Sequence, residues 1–228
     1  VNIFEMEYNR FYNNCDYNGN GEKYLYNLIK NKINVVFDVG CRDDSYYIDD
    51  KNIEYHLFDP NPRFIENLKT RLKNSPYNVK LNNFGLGLTE TMLPYYEQAQ
   101  SFLQRQHYLN LGQDLKASCF LPIKKLSTYC KENNVKFIDF LKIDTEGFEY
   151  DVIKGAETFL ENIKTIQFEY GGTYPDRKIR LIDVVDLLNN FKIYLLTPEK
   201  LILLDNFEDH YQYCNYFAVR DTDSDIIL

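Results

Sequence analysis

Three aspartates stand where apolar runs end: Asp38 after Val35-Val36-Phe37, Asp59 after Tyr55-His56-Leu57-Phe58, and Asp144 after Phe140-Leu141-Lys142-Ile143. A carboxylate at the end of a buried strand faces the sheet edge at which open α/β folds bind their ligands. Gly40 follows Asp38 closely, and a glycine there lets backbone approach whatever binds. Asp59 falls about 20 residues beyond the first strand end, the spacing at which an acidic side chain takes both ribose hydroxyls of an adenosine as donors. Asp144 opens the run Asp144-Thr145-Glu146-Gly147-Phe148-Glu149, and Glu169 closes a later apolar run. Asp144, Glu146 and Glu169 therefore form a candidate acidic cluster that could draw a proton from a hydroxyl. Capping of the helix that starts near Phe148 is the competing role for Glu146 and Glu149.

To bring these positions together the chain needs an α/β sheet. Residues 35–39, 54–58, 79–84, 137–143 and 165–170 read as strands, most of them continuous apolar runs typical of strands buried on both faces. Helical spacing covers 21–32, 63–73, 148–160 and 181–191, and a further helix lies within 121–133. Pro60 and Pro62 stop the second strand. Residues 85–96 suit a hairpin or meander, 98–117 a polar loop, and 192–220 two or three final strands before a frayed acidic tail. The alternation predicts one doubly wound α/β sheet, mostly parallel, with antiparallel C-terminal strands and helices on both faces.

Composition narrows the function. The formal net charge of -8 disfavours nucleic acid as the main ligand. No apolar run approaches the roughly 20 residues of a membrane span. Cys15, Cys41, Cys119, Cys130 and Cys214 are odd in number and contain no CxxC pair, which points to free thiols in a reducing, cytoplasmic compartment and to no zinc site. No complete metal-ligand set is present, so no obligatory metal is expected. The run Asp16-Tyr17-Asn18-Gly19-Asn20-Gly21 mimics the start of a calcium loop, but Asn27 occupies the position that needs a bidentate glutamate. Of the histidines, His56 reads as core, His210 as solvated, and His107, in the polar loop, as a candidate base facing a substrate.

Taken together, Val36-Phe37-Asp38-Val39-Gly40, Phe58-Asp59-Pro60-Asn61-Pro62 and Leu141-Lys142-Ile143-Asp144-Thr145-Glu146-Gly147-Phe148-Glu149, running on through Val152 to Ala156, resemble the FkbM family of S-adenosyl-L-methionine (SAM)-dependent methyltransferases. The resemblance spans residues 34 to 170, and the last motif is its most specific part. It implies the Rossmann-like class I methyltransferase fold and SAM as cofactor. Asp38, Gly40 and Cys41 would line the methionine part, Asp59 and the adjoining Pro60 the ribose, and Asp144 the methyl group. Transfer to a hydroxyl of a sugar or nucleotide-linked sugar in glycan biosynthesis follows from the same resemblance. The family's glycine-rich turn after Gly40 is replaced here by Cys41-Arg42-Asp43-Asp44. Either Asp43 or Asp44 meets the ammonium of SAM, or binding is impaired. The alternatives are a non-catalytic SAM-fold scaffold and, more remotely, an RNA cap methyltransferase. A nicotinamide-dependent oxidoreductase lacks its GxGxxG run. Residues 1–33 read as an extension and first helix, 34–220 as the methyltransferase domain and 221–228 as the acidic tail. The first residue, Val1, suggests one domain of a longer polypeptide.

Overall fold

The computed structural model describes residues 12–113 and 116–227. In chain order the elements are α1 (Glu22–Ile29), β1 (Val35–Val39), β2 (Glu54–Phe58), α2 (Pro62–Leu72), β3 (Asn78–Asn82), β4 (Gly85–Leu86), β5 (Thr91–Tyr95), α3 (Gln106–Asn110) and β6 (Cys119–Lys124). There follow α4 (Leu126–Glu132), β7 (Ile138–Ile143), α5 (Glu149–Gly155), β8 (Ile163–Tyr170), α6 (Thr173–Arg177), α7 (Leu181–Val185), β9 (Phe191–Leu196), β10 (Leu201–Leu203) and β11 (Cys214–Arg220). The large sheet has the order β10-β9-β11-β8-β7-β1-β2-β3. β3, β2, β1, β7 and β8 pair in parallel, while β11 runs antiparallel to both of its neighbours. Strand order reverses between β1 and β7, the switch point where such sheets hold their ligands.

Both faces of the sheet carry a core, as two-sided helix packing requires. Phe37, Val39, Leu141, Ile143, Ile166 and Phe168 belong to one core, with Val152 and Ile153 of α5 and Leu181 and Val184 of α7. Val36, Phe140 and Phe217 belong to the other, with Leu25 and Ile29 of α1 and Ile65 and Leu68 of α2. α2 begins on Pro62, with the Asn61 side chain accepting from Arg63 N as an N-cap.

β1 and β2 fall on the predicted residues. The segment 85–96 does not form a hairpin: β4 and β5 lie on opposite sides of β6, in a separate sheet of order β4-β6-β5. β6 contains Pro122, a residue that argues against an inner strand because it cannot donate to a ladder. The sheet tolerates it because β4 reaches only Ile123 and Lys124, so Pro122 has a strand neighbour on one side alone. The polar loop contains the short helix α3, on whose backbone His107 lies; its side chain is outside the described residues. The stretch 148–160 is α-helical only to Gly155 and continues as a 3-10 helix, Glu157–Asn162. A Cβ at Gly155 would stand 2.0 Å from the Gly87 carbonyl oxygen, so glycine is what lets α5 meet the chain beyond β4. The acidic tail is not frayed. Asp221–Ile227 forms 3-10 turns, Ile226 is buried, and Lys32 Nζ donates to the Asp225 carbonyl. His210 is not simply solvated either: it packs edge-on against Tyr12 and Tyr170 and meets Tyr216 Oη at 3.1 Å.

Candidate active site

β1 and β7 touch where their C-terminal ends turn away. Gly40 has φ +82°, and a Cβ there would stand 1.7 Å from the Asp144 carbonyl oxygen. Asp144 N donates to the Val39 carbonyl at 2.9 Å, and Gly40 N to the Phe58 carbonyl at 2.9 Å. The three strand ends bearing Asp38, Asp59 and Asp144 are thereby locked around one point. Beside it opens a cavity of about 680 Å³ lined by Asp38, Gly40, Cys41, Asp44, Asp59, Pro60, Asp144, Glu146 and Glu169. Every site residue proposed from the sequence except His107 therefore reaches one cavity.

The carboxylates do different work. Asp38 is buried; its Oδ2 accepts from Ser45 Oγ at 2.6 Å, and its Oδ1 has no hydrogen-bonding partner among the described residues. Lys142 Nζ stands 3.3 Å from that orphaned oxygen and 3.3 Å from Asp144 Oδ2. Burial acts against the lysine cation, yet Asp144 and Asp38 hold its ammonium well above the usual lysine range. Burial also acts to raise the Asp144 carboxyl, but Lys142 and a hydrogen bond from Glu169 outweigh it and hold it below the ordinary range. Glu169 goes the other way, pushed well up by burial and by the Asp144 charge, so it is the protonated member of the pair and donates to Asp144.

Glu146 and Glu149 divide the roles that the sequence left open. Glu149 is buried, and its Oε1 accepts from Thr145 N, Thr145 Oγ1 and Gly147 N at 2.9, 2.9 and 3.2 Å. It holds the turn after β7 in shape, with Glu146 at φ +54° and Gly147 at φ +108°. Burial pushes its carboxyl up to about 7. Glu146 instead faces the cavity and pairs with Arg105 at 3.1 Å, while Arg105 also reaches Asp176 at 3.2 Å.

Asp59 is buried, and each carboxylate oxygen accepts one backbone hydrogen, Oδ1 from Asn61 N at 2.8 Å and Oδ2 from Arg42 N at 3.0 Å. Burial lifts it to about 6. The glycine-poor turn is accommodated by Arg42, which takes φ +51°, a conformation that favours glycine. Asp43 and Asp44 do not point freely at a ligand. Asp44 pairs with Arg71 of α2 at 2.5 Å, and Asp43 accepts from Asn67 at 3.1 Å. Cys41 is buried, which raises its thiol well above the ordinary range.

One feature escapes sequence reasoning, and another, Glu22 at the mouth of the site, is legible there only as a residue that could reach the cofactor. Lys142 lies inside a strand whose six residues are all buried, and only the β1–β7 register shows that it stands opposite Asp38. The other is a polar fringe from α1. Glu22 Oε1 accepts from Tyr47 Oη at 2.9 Å and from Gln167 Nε2 at 2.7 Å. Tyr17 and Tyr46 stack beside it, with centroids 4.4 Å apart.

A sheet reversing at β1/β7, with an antiparallel strand inserted beside β9 and acidic strand ends around one cavity, defines a class I SAM-dependent methyltransferase. A family model described as the methyltransferase FkbM domain matches residues 38–213, and the chain belongs to that family. Its cofactor is accordingly SAM. The residues present fit it: the orphaned Asp38 oxygen and the acidic wall suit a ligand bearing an ammonium and a sulfonium. Comparison with curated proteins yields no match. Among solved structures, the chain is similar to methyltransferase FkbM from Methylobacillus flagellatus KT, at 14% identity and TM-score 0.47 over 81% of this chain and 43% of that one. It is also similar to precorrin-6y C5,15-methyltransferase from Geobacter metallireducens GS-15, at 13% identity, TM-score 0.48 and 87% of both chains. A third is SMU.1697c from Streptococcus mutans in complex with SAH, at 9% identity and TM-score 0.49, covering 88% of this chain and 97% of that one. This chain thus spans under half the length of the first of these, 43%.

Proposed function

We propose that this chain transfers a methyl group to a hydroxyl of a small hydroxylated acceptor, a sugar or nucleotide-linked sugar in glycan biosynthesis. The observation that carries the reading is the Asp144–Glu169 pair at the cavity edge, with Tyr17, Tyr46 and Tyr213 lining the same cavity. When bound, SAM supplies a methyl group already activated on a sulfonium. Asp144 is the carboxylate placed to accept the hydroxyl proton, and Glu169, by donating to it, fixes where its lone pairs point. Stacked Tyr17 and Tyr46, with Tyr213 lining the same cavity, offer flat apolar faces for the carbon side of a sugar ring. The net charge of -8 speaks against a nucleic-acid acceptor. No helix among the described residues is long and apolar enough to cross a membrane. The free thiols, Cys15 and Cys119 exposed among them, fit a reducing compartment such as the cytoplasm. In this reading residues 34–220 act as one catalytic domain.

The test is transfer of labelled methyl from SAM to a panel of nucleotide sugars, free glycans and RNA. Transfer to a sugar that drops by about 100-fold or more in Asp144→Asn, with SAH binding retained, is expected for a general base. Transfer to RNA alone, or SAH binding with no acceptor modified, would sink the reading, the latter in favour of a non-catalytic SAM-binding module.

A further inference from the structure

Lys142 has no role in the account above beyond its presence. It is the next-to-last residue of a strand buried throughout, where lysine is almost never found unless paired. Its Cα is the register partner of Asp38 on β1, and Asp144 follows two residues later on the same face of β7. The ammonium stands 3.3 Å from one oxygen of each carboxylate, and its side chain is 9% exposed. Among the described residues no other cation reaches the orphaned Asp38 oxygen. We propose that Lys142 is a positioning residue that ties Asp38 and Asp144 into one charged triad and sets how strongly the site favours a cationic ligand over a neutral one. The inference rests on the cofactor assignment and not on the acceptor.

The charges around the triad decide how it responds to pH. Glu22 from α1 and Glu169 from β8 face it, with Glu146 on the turn beyond β7. Arg42 from the turn after β1 is the further cation, and Tyr47 and Tyr213 line the same cavity. With Lys142 present, Asp144 stays ionised while Glu169 keeps a proton. Without it, the carboxyls are left beside one another with one cation fewer, and one of them takes up a further proton near neutrality. A sulfonium must then displace that proton, whereas the thioether of SAH has less to gain by doing so.

The experiment is calorimetric measurement of SAM and SAH affinity between pH 6 and 8 for the wild type, Lys142→Met and Lys142→Arg. In the wild type the ratio of the two affinities is expected to stay flat. In Lys142→Met the preference for SAM is expected to fall as the pH is lowered, by up to about tenfold per unit, and Lys142→Arg restores most of the flatness. A folded Lys142→Met with a flat, wild-type ratio would overturn the proposal. Should that variant fail to fold, a carboxyl-carbon NMR titration of the wild type decides. Asp144 is not expected to show a midpoint between pH 5 and 8, and a midpoint there refutes the triad. If the wild type binds neither SAM nor SAH, the reading of the cavity fails, while the titration still tests the triad.

Discussion

Replacing Gly40 by alanine tests the point on which the site is built. The new Cβ would stand 1.7 Å from the Asp144 carbonyl oxygen, and real Cβ contacts essentially never fall below 3.0 Å, so the ends of β1 and β7 must part by at least 1.3 Å. The hydrogen bonds from Asp144 N to Val39 and from Gly40 N to Phe58 resist that movement, each 2.9 Å long in the native fold. Forcing an alanine to φ +82° costs about 1–2 kcal/mol, and weakening one buried backbone hydrogen bond costs about 1–3 more. A total near 3 kcal/mol corresponds to a fall in Tm of about 6–12 °C for a domain of this size. The same displacement moves Asp38 relative to Asp144, so SAH affinity should drop at least about tenfold, because a shift on the order of 1 Å is large for positioned groups. Gly112→Ala is the control. Gly112 has φ +71° but nothing among the described residues within 4 Å of its missing Cβ, so it carries the conformational cost without the collision. Thermal melts and calorimetry on both variants are the assay. A Gly40→Ala protein that loses no more stability than Gly112→Ala, and binds SAH as the wild type does, refutes the strand contact as the organising feature.

Three further outcomes follow. His56 is fully buried between Tyr129 Oη at 2.7 Å and Glu54 Oε1 at 3.0 Å, and burial pushes it from 6.5 down to about 4. The unfolded chain therefore protonates first as pH falls, and the fold loses stability through this window, by about 3 kcal/mol below it. A histidine-ring NMR midpoint near the unperturbed value would contradict this. Asp139 is buried at the far end of the sheet, where its Oδ2 accepts from Asn34 N at 2.7 Å and Val35 N at 2.9 Å and its Oδ1 pairs with Lys164 at 2.7 Å. Asp139→Ala should cost about 2–4 kcal/mol in urea unfolding by leaving those amides bare, with SAH affinity unchanged; a loss of SAH affinity in the folded variant would show that the two ends of the sheet are coupled. Arg42→Gly removes a left-handed arginine and should raise Tm by about 2–4 °C. A lower Tm would mean that the Arg42 contact with Phe64, at 5.7 Å, outweighs the relief.

What could be read in the sequence tracks how local its cause is. β1 and β2 come from unbroken apolar runs, and the strand-end aspartates follow from where those runs stop. β6 stayed hidden because Pro122 is tolerated only through the shortness of β4, a fact of sheet assembly that no local pattern carries. The sequence leaves open whether Asp43 or Asp44 meets the cofactor, because the direction of a turn depends on what lies across it, here Asn67 and Arg71 on α2. Lys142 shows the limit most clearly. A lysine amid apolar residues signals that something charged must answer it, yet only the pairing of β1 with β7 says that Asp38 does.

Strand parity then explains why one side of the sheet holds the chemistry. Phe37 and Val39, Leu141 and Ile143, and Ile166 and Phe168 all point into the same apolar core. Their alternates, Asp38, Lys142 with Asp144, and Gln167 with Glu169, must therefore share the face covered by α1. Glu22 of α1 reaches Gln167 and Tyr47 there, so the helix that seals this face also supplies part of its charge. A single-residue slip in β7 would turn Lys142 and Asp144 into the apolar core and bring Leu141 and Ile143 to the cavity. The turn after β7, held by Glu149 on Thr145 and Gly147, opposes that slip from the C-terminal side, and the Gly40–Asp144 contact opposes it from the neighbouring strand. The specific sequence Asp144-Thr145-Glu146-Gly147-Phe148-Glu149 is thus as much a register lock as a proposed catalytic edge. Its conformation, more than any one carboxylate in it, is what keeps Asp144 opposite the cavity.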